Sequence, residues 1–360
     1  MVDNGDVSGL PTQRVRDRPV MRTGWFDDQP TFGGISCGAI RPDGAVAVFD
    51  DRADLLYLID RQGNASTAGG PGQGPGEFES CGGLALLADS TLIVYDYMAR
   101  RLSLFGAAGE FLDSRSWDLP GIFSYSPSGV TAAGRLAWVP SSYSPSAARA
   151  LEGRWLTAPL VTTAPLGGNA DTVHLVPAVR LRLADGRPVP DGDPFVRYGT
   201  GEAHSGGYVW ATNDNPQVTW IGPAGSLRQI ARWQAPAPAA DEEAWERYEA
   251  AYYERMGGSP ERGSESQMAQ RLRRQREAAS ATLPYFRFVH SGADGSAWLS
   301  EYTMFGMPAR RFLRFGSTGV VVGWIEFPRP LQILDIAYEH VLGVETDEWG
   351  VEAVVLYRVR

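Results

Sequence analysis

Lysine is missing altogether: all 33 basic residues are arginine. A Schiff-base lysine, a phosphate-loop lysine and a kinase-type lysine are therefore excluded. Cysteine is limited to two residues and histidine to four. No two histidines stand in an HxH or HxxxH pair, so spacing alone defines no metal site. Basic charge is also short, 33 residues against 42 acidic, for a net charge of −9. Nucleic acid is excluded as a partner, since binding it needs a basic footprint. Apolar runs are short as well. None approaches the ~18 residues of a membrane span, and the longest, 319–327, is strand-sized. Residues 1–22 contain no apolar h-region, so they do not read as a signal peptide.

What remains is a chain of 360 residues, 43% hydrophobic and 21% charged, which is globular chemistry with ample core. Glycine (42) and proline (25) are spread along it and predict many turns.

An internal repeat organises those turns. Ser36-Cys37-Gly38-Ala39-Ile40 and Ser80-Cys81-Gly82-Gly83-Leu84 each precede a turn and an apolar strand. The strands are Val46-Ala47-Val48-Phe49-Asp50 and Leu92-Ile93-Val94-Tyr95-Asp96, and from each aspartate the copies run on without a gap. The period is about 45 residues and each unit reads as four strands. Weaker copies follow at 208–225, 296–319 and 341–357, with a degenerate one at 129–161 whose second strand is 136–139. Six four-stranded units fit the length and predict a six-bladed β-propeller in one domain, 1–360. The last unit ends after its third strand. Its outer strand is expected at 19–23, within an N-terminal closing strand and lead-in over 13–35.

The segment Gly72-Gln73-Gly74-Pro75-Gly76-Glu77-Phe78, with the strand ending at Asp96, Arg101-Leu102-Ser103-Leu104-Phe105 and Gly109, resembles the NHL-type repeat. It is similar to the bacterial six-bladed β-propeller family, whose first blade boundary carries a GxGPGEF loop. The C-terminal stretch from Leu342 to Tyr357 resembles that family's last blade. The resemblance implies an exported bacterial protein of a family whose activity is mostly unestablished. It also implies that Arg101 and Arg311, the family's usual arginines before a third strand, are structural.

Residues 239–282 break the strand pattern. Stretches 241–256 and 264–279 read as two helices, the first acidic and carrying Trp245, Tyr248 and Tyr252 at helical spacing. The second carries Arg271, Arg273, Arg274 and Arg276, and Ser264 with Gln267 fits a capping box. This hairpin falls between blades four and five. It is expected on the face of the GxGPGEF loop, either as a decoration over apolar surface or as a lid or partner-binding element.

The Gly-rich loop at 69–78 has neither a lysine nor a following helix, so it reads as a tight blade crossing and not as a phosphate cradle. Cys37 and Cys81 start the innermost strands of adjacent blades. They read either as a disulfide or as two separate buried thiols. Among His174, His204, His290 and His340, His290 is the candidate channel ligand for a metal. Asp50 and Asp96 recur at one repeat position and read as turn caps, against a calcium or lactonase-type alternative. Arg100 and Arg310 precede the family-type arginines and are free to pair with a ligand's or partner's carboxylate.

These observations favour a non-catalytic binding or scaffold propeller without a cofactor. It would recognise a protein or small ligand through Arg100, Arg310, Trp245 and Tyr252. One alternative is a metal-dependent hydrolase or lyase, lactonase-like or amidating-lyase-like, with a divalent metal in the channel. Another is an accessory subunit of a larger complex. The expected compartment is periplasmic or extracellular if a leader precedes this sequence, and cytoplasmic otherwise.

Overall fold

Strands such as Val46–Asp50 and Leu92–Asp96 are β-branched and aromatic, and all five residues of each are buried. A strand buried on both faces needs a sheet on either side of its own. In the computed structural model six sheets meet that need by packing around an axis. The structure describes residues 1–25, 29–119, 123–143, 155–184, 187–190, 194–256 and 267–359.

Blade one comprises Ile35–Ile40, Val46–Asp50, Leu55–Ile59 and Ala65–Ala68, and blade two Gly83–Leu86, Leu92–Asp96, Arg101–Phe105 and Phe111–Ser116. Both are antiparallel meanders in the expected register. Their crossing loop is the GxGPGEF segment. Gly69 (φ +72°) must be glycine there, because a Cβ would sit 2.6 Å from the Gly76 carbonyl oxygen. Phe78, fully buried, plugs the seam against Phe49 and Phe105.

Blade three departs from the expectation of a copy over 129–161. Its strands run Phe123–Val130, Leu136–Tyr143, Trp155–Ala164 and Gly167–Ala184, with Arg187–Pro190 added outside. Bulges near Pro127, Pro159 and Pro177 interrupt the alternation, which is why the repeat fades there. Trp138, fully buried, restores the seam through Trp117 (4.4 Å between rings) and Tyr95 (5.1 Å).

Blade four is Gly199–His204, Gly207–Thr212, Gln217–Ile221 and Leu227–Gln234. Blade five is Val289–Ser291, Ala297–Ser300, Ala309–Phe315 and the first part of Val321–Ala337. The second part of that 17-residue strand is the innermost strand of blade six, followed by His340–Thr346 and Glu352–Arg358.

Closure comes from the N-terminus as expected. Met21–Thr23 pairs antiparallel with Glu352–Arg358, setting Arg22 opposite Val355. The preceding residues do more than lead in. Val2–Asp6 adds a parallel outer strand to blade four, and Thr12–Arg14 another to blade five. Each covers an edge that would otherwise present unpaired backbone groups. Their sequences, VDNGD and TQR, carry no apolar alternation, so periodicity does not find them.

The core consists of six apolar clusters, one in each seam between blades. The N-terminal arm contributes Val7, Val15 and Met21 to three successive seams. A seventh cluster lies under the hairpin, α1 (Glu242–Met256) and α2 (Gln267–Ala278). Asp241 caps α1 through the Ala244 N–H, and Arg276 of α2 pairs with Glu242 of α1. Ser264, the expected cap of α2, lies outside the described residues. Neither helix is long and apolar enough to cross a membrane.

At the closing strand, Glu345 is 1% exposed and accepts from Arg22 at 2.8 Å and from the Tyr357 hydroxyl. Removing the guanidinium strands a buried carboxylate. Arg22→Ala is expected to cost about 3–5 kcal/mol, measured by urea denaturation.

Candidate functional site

The six innermost strands enclose a channel cavity of about 870 Å³. Its wall is mostly glycine, alanine, serine and short aliphatics. Its ionisable side chains among the described residues are Glu202, Asp335, His204 and the phenols Tyr198 and Tyr338. Both acids join neighbouring blades. Glu202 of blade four accepts the Ser291 N–H of blade five at 2.8 Å, and Asp335 of blade six accepts the Ile40 N–H of blade one at 2.7 Å. Ser128 of blade three does the same for the Ala203 N–H, also at 2.8 Å. Register explains the recurrence: Ser128, Glu202 and Asp335 each stand two residues before the end of an inner strand and face the last or next-to-last N–H of the next inner strand.

In blade one the side chain facing the seam to blade two is Ala39, which can accept nothing. The link to blade two is instead covalent, a Cys37–Cys81 disulfide with Cα atoms 6.8 Å apart. Both cysteines line the channel, and Asp51 accepts the Cys81 N–H at 2.7 Å. Of the two sequence readings, disulfide and separate thiols, the structure has the disulfide.

His290 Nδ1 lies 2.9 Å from Glu202 Oε1 and its ring packs near Phe288 and Phe312. His174 and His340 contact the carbonyls of Gly225 and Tyr338. Burial lowers the pKa of His204, with Arg228 adding to the effect. Among the described residues no three His, Cys, Asp or Glu side chains come together in a way that could hold a metal.

Asp50 accepts the N–H groups of Gly33, Arg52 and Ala53, and Asp96 accepts those of Glu79 and Ala99. Each thus ties the loop entering its blade to the turn leaving its second strand. Asn213 takes that role in blade four through the Tyr198 N–H, and Ser300 in blade five through the Phe288 N–H. Arg101 donates to the carbonyls of Gln73 and Glu77 and holds the GxGPGEF loop down. Arg311 stacks on Trp324, 4.6 Å from the ring centre.

The four expected binding residues fare differently. Trp245 and Tyr252 are 5% and 6% exposed, packed among Phe195, Tyr248 and Phe305. They hold the hairpin to the propeller and offer no contact surface, because their apolar rings face the loops beneath. Arg100 and Arg310 are exposed, but each already has an acid: Asp118 at 3.1 Å and Glu326 at 3.3 Å. Arg310 also donates to the Phe327 carbonyl.

Sequence reasoning missed what the loop face displays. In an up-and-down meander, the crossings between blades and the loops between second and third strands emerge together. Tyr97 (49% exposed), Met98 (64%), Met307 (49%) and Trp349 (79%) all sit on such loops. The signal was in the sequence: Asp347-Glu348-Trp349-Gly350 is a turn, and an indole inside a turn has no core to enter. Beside Trp349 is an open cleft of about 800 Å³, also lined by Trp25 and Arg329.

No family model and no curated protein matches this chain. Solved structures do. A member of the DUF4221 family from Bacteroides vulgatus has a TM-score of 0.53 at 8% identity, over 96% of this chain and 98% of that one. A protein from Bacteroides fragilis, described as a candidate exported protein, has a TM-score of 0.52 at 9% identity over 100% and 99%. A calcium-binding protein, regucalcin, from Agrobacterium tumefaciens has a TM-score of 0.48 at 10% identity over 97% of both chains. Such identities speak to the fold, which is that of the six-bladed propellers, and to nothing else.

Two measurements test the channel wall. The disulfide closes a loop between residues 44 apart. Replacing both cysteines by serine is expected to cost about 2–4 kcal/mol, and a reductant should then add no further loss. Asp335 has its pKa raised to about 6, chiefly by burial and also by Glu202, against the lowering pull of the Ile40 and Ile336 N–H groups. The folded state thus holds this proton more tightly than the unfolded chain. The contribution is complete below the unfolded value of 3.8 and is lost as pH rises through about 6. It amounts to about 3 kcal/mol. Denaturation midpoints of Asp335→Asn should fall less steeply than wild type across that window.

Proposed function

We propose that this chain is a non-catalytic recognition propeller that takes its partner on the loop face. The observation that carries the reading is the side-chain content of that face. Tyr97, Met98, Met307 and Trp349 stand exposed there, and the exposed arginines Arg100, Arg310 and Arg329 lie in or beside loops of the same face. Aromatic residues, methionine and arginine are the types enriched where proteins bind. Their single-residue exposure on a soluble chain costs little, but their concentration on one face is what a docking surface needs.

The channel chemistry supports binding over catalysis. Glu202 and Asp335 accept backbone N–H groups from neighbouring blades, so using either as a general base would loosen a seam. The aromatic side of the hairpin is anchored on Phe195 and Met304 and is not available to a partner. The proposal also sets the protein in the periplasm or outside the cell. The Cys37–Cys81 disulfide supports that compartment, because such bonds persist where the medium is oxidising.

Photo-activatable residues placed singly on the two faces test the reading. At Met98 or Met307 they should cross-link to a discrete partner in the cell of origin. At Leu227 or Val320, exposed on the opposite face, they should not. Equal capture from both faces would overturn the proposal.

A further inference from the structure

The cleft beside Trp349 has a composition that specifies a ligand. Trp25 forms its inner wall, with its indole N–H on the Val351 carbonyl at 3.3 Å. Two guanidinium groups lie against that indole, Arg22 at 4.2 Å and Arg329 at 5.0 Å from the ring centre. They differ in what else holds them. Arg22 pairs with buried Glu345. Arg329 is exposed and has no acid partner among the described residues. A planar guanidinium stacked on an indole, with no partner on its N–H edge among the described residues, is preorganised for a carboxylate.

The rest of the cleft takes hydroxyls and an apolar face. Asp347 accepts the Trp349 and Val351 N–H groups through Oδ1, which leaves Oδ2 as an acceptor. Glu348 is an exposed acceptor next to it. Gln29 uses its carbonyl on the Gly24 N–H, which leaves its amide group as a donor, and Thr31 adds a hydroxyl. Trp349 presents its ring to solvent at the rim. Asp347 and Glu348 would repel a bare anion, but they suit an anion that also carries hydroxyl donors. A carboxylate for Arg329, hydroxyls for the acids and a C–H face for Trp349 occur together in one ligand class.

We infer that this cleft binds an acidic saccharide, a short uronate oligomer, with its carboxylate on Arg329 and a sugar ring on Trp349. The inference rests on the reading of the loop face as a recognition surface. The cavity of about 800 Å³ is of ordinary ligand-site size. The protein's net charge of −9 does not forbid it, because repulsion from distant surface acids is screened beyond roughly 8–10 Å.

The test is titration with trigalacturonate, followed by calorimetry and tryptophan emission, with neutral galactotriose and phenylacetate alongside. The expected result is binding of the uronate and binding at least roughly tenfold weaker for both others, the scale of one charged hydrogen bond. Arg329→Ala and Trp349→Ala, both at exposed positions, should each weaken uronate binding by a similar factor with unchanged circular dichroism. Arg329→Lys should weaken it too, because it keeps the charge and loses the planar fork. Leu227→Ala, on the opposite face, should leave it unaltered. Absence of uronate binding, equal affinity for the neutral sugar or phenylacetate, or indifference to the Arg329 and Trp349 changes would overturn the assignment. Cross-linking from Met98 without uronate binding would remove the ligand class and keep the recognition face. Silence in both experiments would remove both.

Discussion

A propeller blade has two apolar faces and no way to bury either by itself, so every seam depends on the ring being closed. Here the closure is three residues, Met21–Thr23, laid against the last strand of blade six. Beneath it a charged group is deliberately enclosed: Glu345, held by Arg22 and Tyr357. Burying a carboxylate costs several kcal/mol, and only a well-placed cation and hydroxyl offset it. The arrangement therefore accepts one register for the closing strand, because a shifted arginine would strand the acid. The N-terminal arm extends the closure by setting Val7, Val15 and Met21 into three seams in turn.

Around the axis, the same demand is met by smaller devices. Ser128, Glu202 and Asp335 each span a seam with one hydrogen bond to backbone, and the disulfide spans the seam where Ala39 has no acceptor. Polar residues in the channel of an unfamiliar propeller invite a catalytic reading. Their repeat register is the better guide, since one position used the same way in several blades is architecture. The Asp50, Asp96, Asn213 and Ser300 series at the loop face makes the same point.

A frame held this firmly leaves its loops free to differ. An arginine pair stands at the start of the third strand in blades two and five, and the loop before that strand in blade six holds an indole. The Trp25–Trp349 cleft forms where the closing segment meets the last blade, so the strap that completes the ring also supplies half of a binding site. Ligand bound there would contact Arg329 and Trp25, next to Arg22 of the closure, and would add to its stability by mass action.

The sequence by itself determined the blade count, the strand order, the closing strand near Met21 and the place of the helical hairpin. These follow from local signals: a period of about 45 residues, turn glycines and helical spacing around Trp245. It also determined that Asp50 and Asp96 act alike, since they recur. Only the tertiary structure decided the rest. Trp245 and Tyr252 look like contact residues on a helix drawn alone, yet they are core, because what a helix face meets is set by elements distant in the chain. Arg100 and Arg310 look free until Asp118 and Glu326 are brought to them. The parallel strands Val2–Asp6 and Thr12–Arg14 have no periodicity, because an edge strand of polar residues is held by backbone pairing with partners more than 200 residues away. The cleft likewise joins Gly24, Trp25, Gln29 and Thr31 to Arg329 and to the turn that carries Trp349. A site assembled across the closing seam has no local pattern in the sequence, since its parts become neighbours only when the ring shuts.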